Sequence, residues 1–300
     1  MTNSIFLRGC FFQSFNNDNH YEQLAILCIA VMLSAAIVCF FVSELTRNYS
    51  QVDKLWSIMP VIYSLLALAA YPSPRLSIMA CLVIIWGLRL SFNFYRKGGY
   101  NIIPWKGEED YRWKILKQHP KLKGRIRFGL FNMFFISFYQ NLLILLFSSP
   151  LLLASKYNNS SLGIIDIIAG SFMFLFIVFE SIADNQMFRF QKLKRQLKSS
   201  EKYTEESLQK GFITNGLWRF VRHPNYVSEQ AIWISFYFFG VAASGNWINW
   251  TIVGPILLVF LFLGSAEFTE RISSNKYPDY IAYKKEVPEF LPRIFKSREE

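Results

Sequence analysis

Apolar blocks separated by clusters of charge run through the chain from about residue 24 onward. Seven of them, at roughly 24–43, 55–71, 76–95, 128–154, 163–183, 228–244 and 249–267, approach the ~20 mostly apolar residues that a helix needs to cross the hydrocarbon core. They are too long and too uniformly apolar for the one-sided helices of a soluble protein. The second and sixth blocks are short. The pattern predicts an all-α integral membrane protein, a bundle of about seven transmembrane helices. With no internal repeat and no Pro- or Ser-rich linker, the spans form one bundle with its large polar loops at one end.

Composition sharpens this picture. Of 300 residues, 52% are hydrophobic and 18% aromatic, and the net charge is +11. A basic chain can bind nucleic acid, but here position decides otherwise. Alternate loops hold 2 (43–54), 10 (96–127), 9 (184–227) and 7 (268–300) Lys and Arg residues, whereas the other side holds Arg8, Arg75 and Lys156. The positive-inside tendency then places the N-terminus outside or lumenal and the C-terminus in the cytoplasm, and membrane topology explains the charge without nucleic acid. Cys10, Cys28, Cys39 and Cys81 lack CxxC spacing, so neither a disulfide framework nor a zinc site is expected. The segment "IFLRGCFF" followed by "NNDNH" lacks the order of a signal peptide, leaving the first span to direct insertion.

The polar groups that interrupt the apolar blocks carry the candidate chemistry. In "RHPNYVSEQAIW", Pro224 suits a helix's first turn and His223 before it should be extended. The helix start and the upstream Arg219 and Arg222 would favour an anion such as phosphate. Asn225, Glu229 and Trp233 follow at intervals of four on one helix face, a pattern equally suited to a helix cap with interfacial anchors. Glu180 and Asp184 lie one turn apart at the end of the fifth span, and Arg89 lies inside the third with Asn93 one turn on. Ionisable groups in a bilayer are costly, which makes them functional candidates by default. Asp53 is a possible partner for Arg89, and Glu267 with Arg271 reads as an intrahelical ion pair. A short helix is expected to begin near Glu108 in "GEEDYRWKILKQHPKLKGRIR". The segment "RFQKLKRQLKSSEKYTEE" should continue the fifth span as a basic surface helix. Tyr277, Tyr280 and Tyr283 lie on one side of a short helix in a tail able to fold back over the bundle.

Six ordered stretches, "QVDKLWSIMPVIY", "WGLRLSFN", "GEEDYRW", "FESIADNQMFRF", "GLWRFVRHPNYVSE" and "YPDYIAYKKEVPEFLP", resemble the steroid 5-alpha-reductase-like membrane proteins. The resemblance is to the branch of unknown function related to those reductases and covers about Gln51 to Pro292. It divides the chain into an N-terminal segment with the first span, 1–50, and a reductase-like membrane domain, 51–300. It implies a seven-helix fold with a cytoplasm-facing cavity for NADPH, and an activity reducing a carbon-carbon double bond conjugated to a ketone in a steroid or other lipid. Matched to its motifs, Asp184, Asn225 and Glu229 would bind the cofactor, with Arg222, Arg271 and Tyr277 as further positions. In the steroid reductases a glutamate and a tyrosine of early helices hold the substrate ketone. Asp53 and Tyr95 are the nearest catalytic candidates here. The family and the topology together imply an endoplasmic reticulum membrane, and neither a metal nor nucleic acid is expected as a partner.

The "RHPNY" helix start is similar as well to that of the isoprenylcysteine carboxyl methyltransferases and related phospholipid methyltransferases, which bind S-adenosylmethionine. A lipid methyltransferase is therefore the enzymatic alternative, and a lipid-binding protein without turnover, on the same fold, the non-enzymatic one.

Overall fold

The computed structural model describes residues 20–103, 105–196 and 206–292, and all regular structure among them is helical. The expectations for Cys10, for the rest of the N-terminal segment and for the basic stretch 197–205 fall outside the described residues. In order, the helices are α1 (His20–Thr46), α2 (Gln51–Trp56), α3 (Met59–Ala70), α4 (Pro74–Arg96), α5 (Tyr111–Gln118), α6 (Arg125–Phe131), α7 (Gln140–Ser148), α8 (Pro150–Lys156), α9 (Ile164–Gln196), α10 (Glu206–Lys210), α11 (Pro224–Ser244), α12 (Val253–Lys276) and α13 (Tyr280–Glu286).

Six segments are long and apolar enough to cross a membrane: Tyr21–Thr46, Gln51–Ala70, Pro74–Arg96, Arg125–Ser148, Ile164–Gln196 and Trp250–Lys276. The protein is a multi-pass all-α membrane bundle. Large apolar side chains such as Val38, Phe41, Ile167 and Phe260 stand exposed on its sides, where lipid rather than water can cover them. The seventh expected span forms α11, 21 residues long, but Ser228, Glu229 and Gln230 leave it less apolar than the other six. It passes through the bundle because it is wrapped by α4, α7, α8, α9 and α12. Its Trp233, Phe236 and Phe239 side chains are fully buried. Polar residues at membrane depth are tolerated on a helix that faces protein.

Two spans depart from the sequence expectation. The fourth, expected as one helix over 128–154, has a π-helical stretch at Asn132–Tyr139 and breaks at Pro150. Proline lacks the N–H that would continue the ladder. The Ser149 hydroxyl donates to the Leu146 carbonyl at 2.6 Å, using the acceptor that the break frees. The fifth span is α9, which runs 33 residues, about 50 Å at 1.5 Å per residue. Its last turns project beyond a ~30 Å hydrocarbon core, so Glu180 and Asp184 lie within the helix, toward its basic end. The short helix expected near Glu108 begins at Tyr111, because the Asp110 carboxylate accepts from the Arg112 backbone N–H at 2.9 Å.

At the end opposite the basic loops, Arg75 is buried and bidentate on Asp166, at 2.7 and 2.9 Å, and donates further to the Ser161 carbonyl at 2.7 Å. This pair joins the start of α4 to the first turn of α9. Replacing Arg75 with Met leaves a buried carboxylate without its cation, and a loss of about 3–5 kcal/mol is expected. Unfolding of the purified protein in detergent checks it, and unchanged stability would refute the lock.

Candidate functional site

The site is built where α4, α9 and α11 meet. Gly87 lets α4 approach α2 and α3, since a Cβ there would lie 2.8 Å from the Ser57 carbonyl oxygen. The Ser57 and Ser91 hydroxyls share a hydrogen bond of 2.8 Å one turn later. α4 is thus fixed against α3 and the turn before it, with Trp86 and Arg89 directed into the bundle.

Arg89 is the hub. Its guanidinium lies 2.9 Å from Glu180, 2.9 Å from Asp184 and 3.6 Å from Glu229. The indole N–H of Trp86 donates to Glu229 Oε2 at 2.8 Å and that of Trp233 to Oε1 at 3.0 Å. The two indoles meet edge to face with ring centres 4.8 Å apart. Glu229 is therefore held by two indole donors, one on each carboxylate oxygen, with the Arg89 charge beside it. Asp53, the partner considered for Arg89, instead accepts from the Trp113 indole at 3.0 Å, and the acids of α9 and α11 take its place.

One cation against three carboxylates leaves the cluster rich in hydrogen-bond acceptors. One turn toward the start of α11, the amide oxygen of Asn225 is shielded from solvent and has no hydrogen-bond partner. Beside the cluster a cavity of about 190 Å³ is lined by Arg89, Phe92, Asn93, Arg96, Ser181, Asp184 and Asn185. Arg96 donates to Asn93 Oδ1 at 3.0 and 2.8 Å, bonds Asn185, and lies over the Phe188 ring. The cavity wall is two guanidinium groups, a carboxylate, two amides, a hydroxyl and the Phe92 ring.

A second polar group lies nearer the basic loops. Arg112 grips Asp110 through two bonds of 2.9 Å, and Asp110 in turn takes its backbone N–H to the Ser50 hydroxyl at 2.9 Å. Burial alone would raise the Asp110 carboxyl, but Arg112 holds it below the usual carboxylate range. Burial holds the Lys97 ammonium below the usual lysine range, against the opposing fields of Asp184 and Asp110.

The structure brings Asp184 and Glu229 together at Arg89, with Asn225 one turn before Glu229 on α11, and places the other candidates elsewhere. Arg222 contacts Glu270 at 2.5 Å and the Lys284 carbonyl at 3.1 Å. Its backbone N–H donates to Pro288 and that of His223 to Glu289, so the tail folds back on the "RH" of "RHPNY". His223 and Lys284 also reach Glu270, at 3.0 and 2.8 Å. Arg222 faces this latch. Arg271 is solvent-exposed and paired with Glu267 at 3.0 Å, the intrahelical pair that the sequence suggests. Tyr277 accepts from Lys194 at 2.6 Å; burial would raise its hydroxyl, but the ammonium holds it below the ordinary tyrosine range. Tyr95 is 66% exposed, on a stripe with Leu88 and Phe92, and does not face Asp53. Cys28, Cys39 and Cys81 are free thiols. No group of three or more His, Cys, Asp and Glu residues among the described residues is placed to hold a metal. Trp86 and Trp113, which hold the acids, are missed by sequence reasoning because an indole in or beside an apolar run reads as packing.

Residues 39–287 match the family described as a protein of unknown function, DUF1295. The chain belongs to the DUF1295 family. An uncharacterized protein of Schizosaccharomyces pombe is 38% identical over 303 residues, an alignment covering 96% of this chain and 86% of the relative. No solved structure matches the chain. The DUF1295 match spans α2 to α13 and includes every residue of the Arg89 cluster and of the latch as far as Val287.

The residues at the cluster fit NADPH in their chemistry. Asp184, Glu229 and the unpartnered Asn225 oxygen are acceptors suited to carboxamide N–H and ribose hydroxyl groups. Beyond Arg89, the cationic groups near Asp184 are Arg96 and Lys97, of a kind that suits phosphate.

Proposed function

We propose that this DUF1295 protein is a membrane-embedded oxidoreductase that uses NADPH to reduce a conjugated carbon-carbon double bond of a steroid or other lipid. The observation that carries the reading is the Asn225 amide oxygen, shielded and unpartnered one turn from Glu229 on α11, whose carboxylate joins a cluster in which Glu180 Oε2 and two guanidinium nitrogens of Arg89 also lack hydrogen-bond partners. A buried acceptor left without a partner costs about 1–3 kcal/mol, a cost that a donor-bearing ligand recovers. The resemblance of six ordered motifs to the steroid 5-alpha-reductase-like proteins supplies the reaction class, and the lipid-exposed sides of the bundle favour an apolar substrate.

Asp184, Asn225 and Glu229 would hold the cofactor's amide and hydroxyl groups, while the Trp86 and Trp233 indoles fix Glu229 and keep water from its carboxylate. When bound, NADPH supplies a hydride for the beta carbon of the enone. Asp53, oriented by Trp113, is the candidate to place a proton as charge develops on the ketone oxygen. The cytoplasmic orientation of the basic end and an endoplasmic reticulum location belong to this proposal.

In detergent, NADPH should raise the unfolding temperature of the wild-type protein. At 100 times the dissociation constant the expected gain is about 2.7 kcal/mol. Asn225→Ala should abolish it. Stabilisation by S-adenosylmethionine with none by NADPH would reverse the assignment. That second reading has its own support, because three carboxylates around one guanidinium, with two indoles beside them, favour a ligand carrying positive charge.

A further inference from the structure

A second cavity, of about 310 Å³, opens at the basic end between the end of α1 and the start of α6. Arg47, Tyr49, Lys117, Gly124, Arg125 and Phe128 line it, and it shares no lining residue with the cavity beside Arg89. Its volume is at the small end of ligand sites, the scale of a headgroup rather than of a dinucleotide.

Its charge is unbalanced toward the cation. Arg47 pairs with Glu44 at 3.0 Å and Lys117 with Glu109 at 3.3 Å, while Arg125 has no ion pair among the described residues. From Tyr111 to Ile165 the chain has no Asp or Glu, and Lys121, Lys123 and Arg127 flank the cavity in sequence. The wall is rigid: Tyr49 and Phe128 meet edge to face at 4.7 Å, with the Lys117 ammonium 4.2 Å above the tyrosine ring. Arg47 itself has a φ of 57°, the one non-glycine residue with positive φ among those described. Such a backbone costs on the order of 1–3 kcal/mol and is retained where the surroundings impose it.

Depth in the membrane identifies the occupant. Arg47 directly follows the span Tyr21–Thr46, and Arg125 opens the span Arg125–Ser148, so the cavity lies at headgroup level. Leu45, Ile126 and Leu130 beside it are exposed apolar side chains, available to acyl chains. We propose that this cavity binds the phosphate-bearing headgroup of an anionic lipid, independently of any ligand at the Arg89 cluster. The guanidinium of Arg125 meets the phosphate oxygens, with Arg47 and Lys117 closing around them.

The test titrates the full-length protein in detergent with dioctanoyl phosphatidic acid, with dioctanoyl phosphatidylcholine and with inorganic phosphate, reading bound ligand by native mass spectrometry. Phosphatidic acid should bind, and Lys117→Gln with Arg125→Gln should weaken it about thirtyfold, at roughly fivefold per basic residue. Removing the same charge elsewhere, by Lys192→Gln with Arg195→Gln, should change it less than threefold. Inorganic phosphate competing as well as phosphatidic acid would support the site and assign it to a soluble phosphate. Equal losses in both double variants, or equal binding of phosphatidylcholine, would overturn the proposal in favour of general membrane charge. Unchanged thermal unfolding of the Lys117/Arg125 variant shows that it still folds.

Discussion

Replacing Arg89 with Leu should be the most destabilising single change at the centre of the bundle. Two carboxylates lie 2.9 Å from its guanidinium and a third 3.6 Å away, all buried among α4, α9 and α11. At an effective dielectric constant of about 20, opposite charges 4 Å apart attract by about 4 kcal/mol, and the acids repel one another with comparable strength once the cation is gone. Removing one partner of a buried pair costs about 3–5 kcal/mol, and Arg89 serves three partners. The expected result is a protein that inserts but unfolds well below the wild type in detergent. Glu180→Gln should be far milder, because Asp184 and Glu229 still neutralise Arg89 and the glutamine retains the shape. Thermal unfolding of both variants checks this asymmetry; equal losses would mean that Arg89 does not organise the acids.

The second large effect is expected at Glu270. One carboxylate there receives Arg222 at 2.5 Å, Lys284 at 2.8 Å and His223 at 3.0 Å. Glu270→Ala strands the buried Arg222 guanidinium, at a cost of about 3–5 kcal/mol. The loss should be local, since the latch joins the end of α12 and the tail to the residues just before α11, away from the Arg89 cluster. Hydrogen exchange should rise in residues 280–292 and in the first turn of α11, while α4 and α9 stay protected. Uniform deprotection would show that the latch is part of the global fold, and no change would show that the tail is held by other contacts. Asn225 is three residues beyond Arg222, so the variant should also weaken NADPH binding without touching a residue assigned to hold it.

Both sites show what the sequence makes legible. Helix positions follow from apolar block length, and the intramembrane Arg89, Glu180, Asp184 and Glu229 stand out because the bilayer makes such residues costly. Their mutual pairing is a property of helix packing, which spacing along one helix does not encode. Asp53 is an equally charged partner for Arg89 on sequence grounds, but the depth of α9 in the membrane brings Glu180 and Asp184 to the guanidinium instead. Asn225, Glu229 and Trp233 share a face as their spacing indicates, and the Trp233–Glu229 bond is the i,i+4 contact such a face permits. Arg222 is three residues upstream of Asn225 yet faces Glu270, because His223 is the non-helical residue before Pro224 and turns the chain toward the tail. α11 is the one expected span that lacks the apolarity of the others. Its polar first half is covered by five helices, and a window of sequence cannot display that cover.

The central claim is that the Arg89 cluster and Asn225 hold NADPH for reduction of a lipid double bond. The most direct measurement is an untargeted lipid comparison of cells lacking the protein with cells re-expressing either the wild type or Asn225→Ala. The expected result is a lipid pair differing by two hydrogens, with the unsaturated member accumulating in the deleted cells and in the Asn225→Ala cells alike. A pair differing by a methylene group, or full restoration by Asn225→Ala, would contradict it.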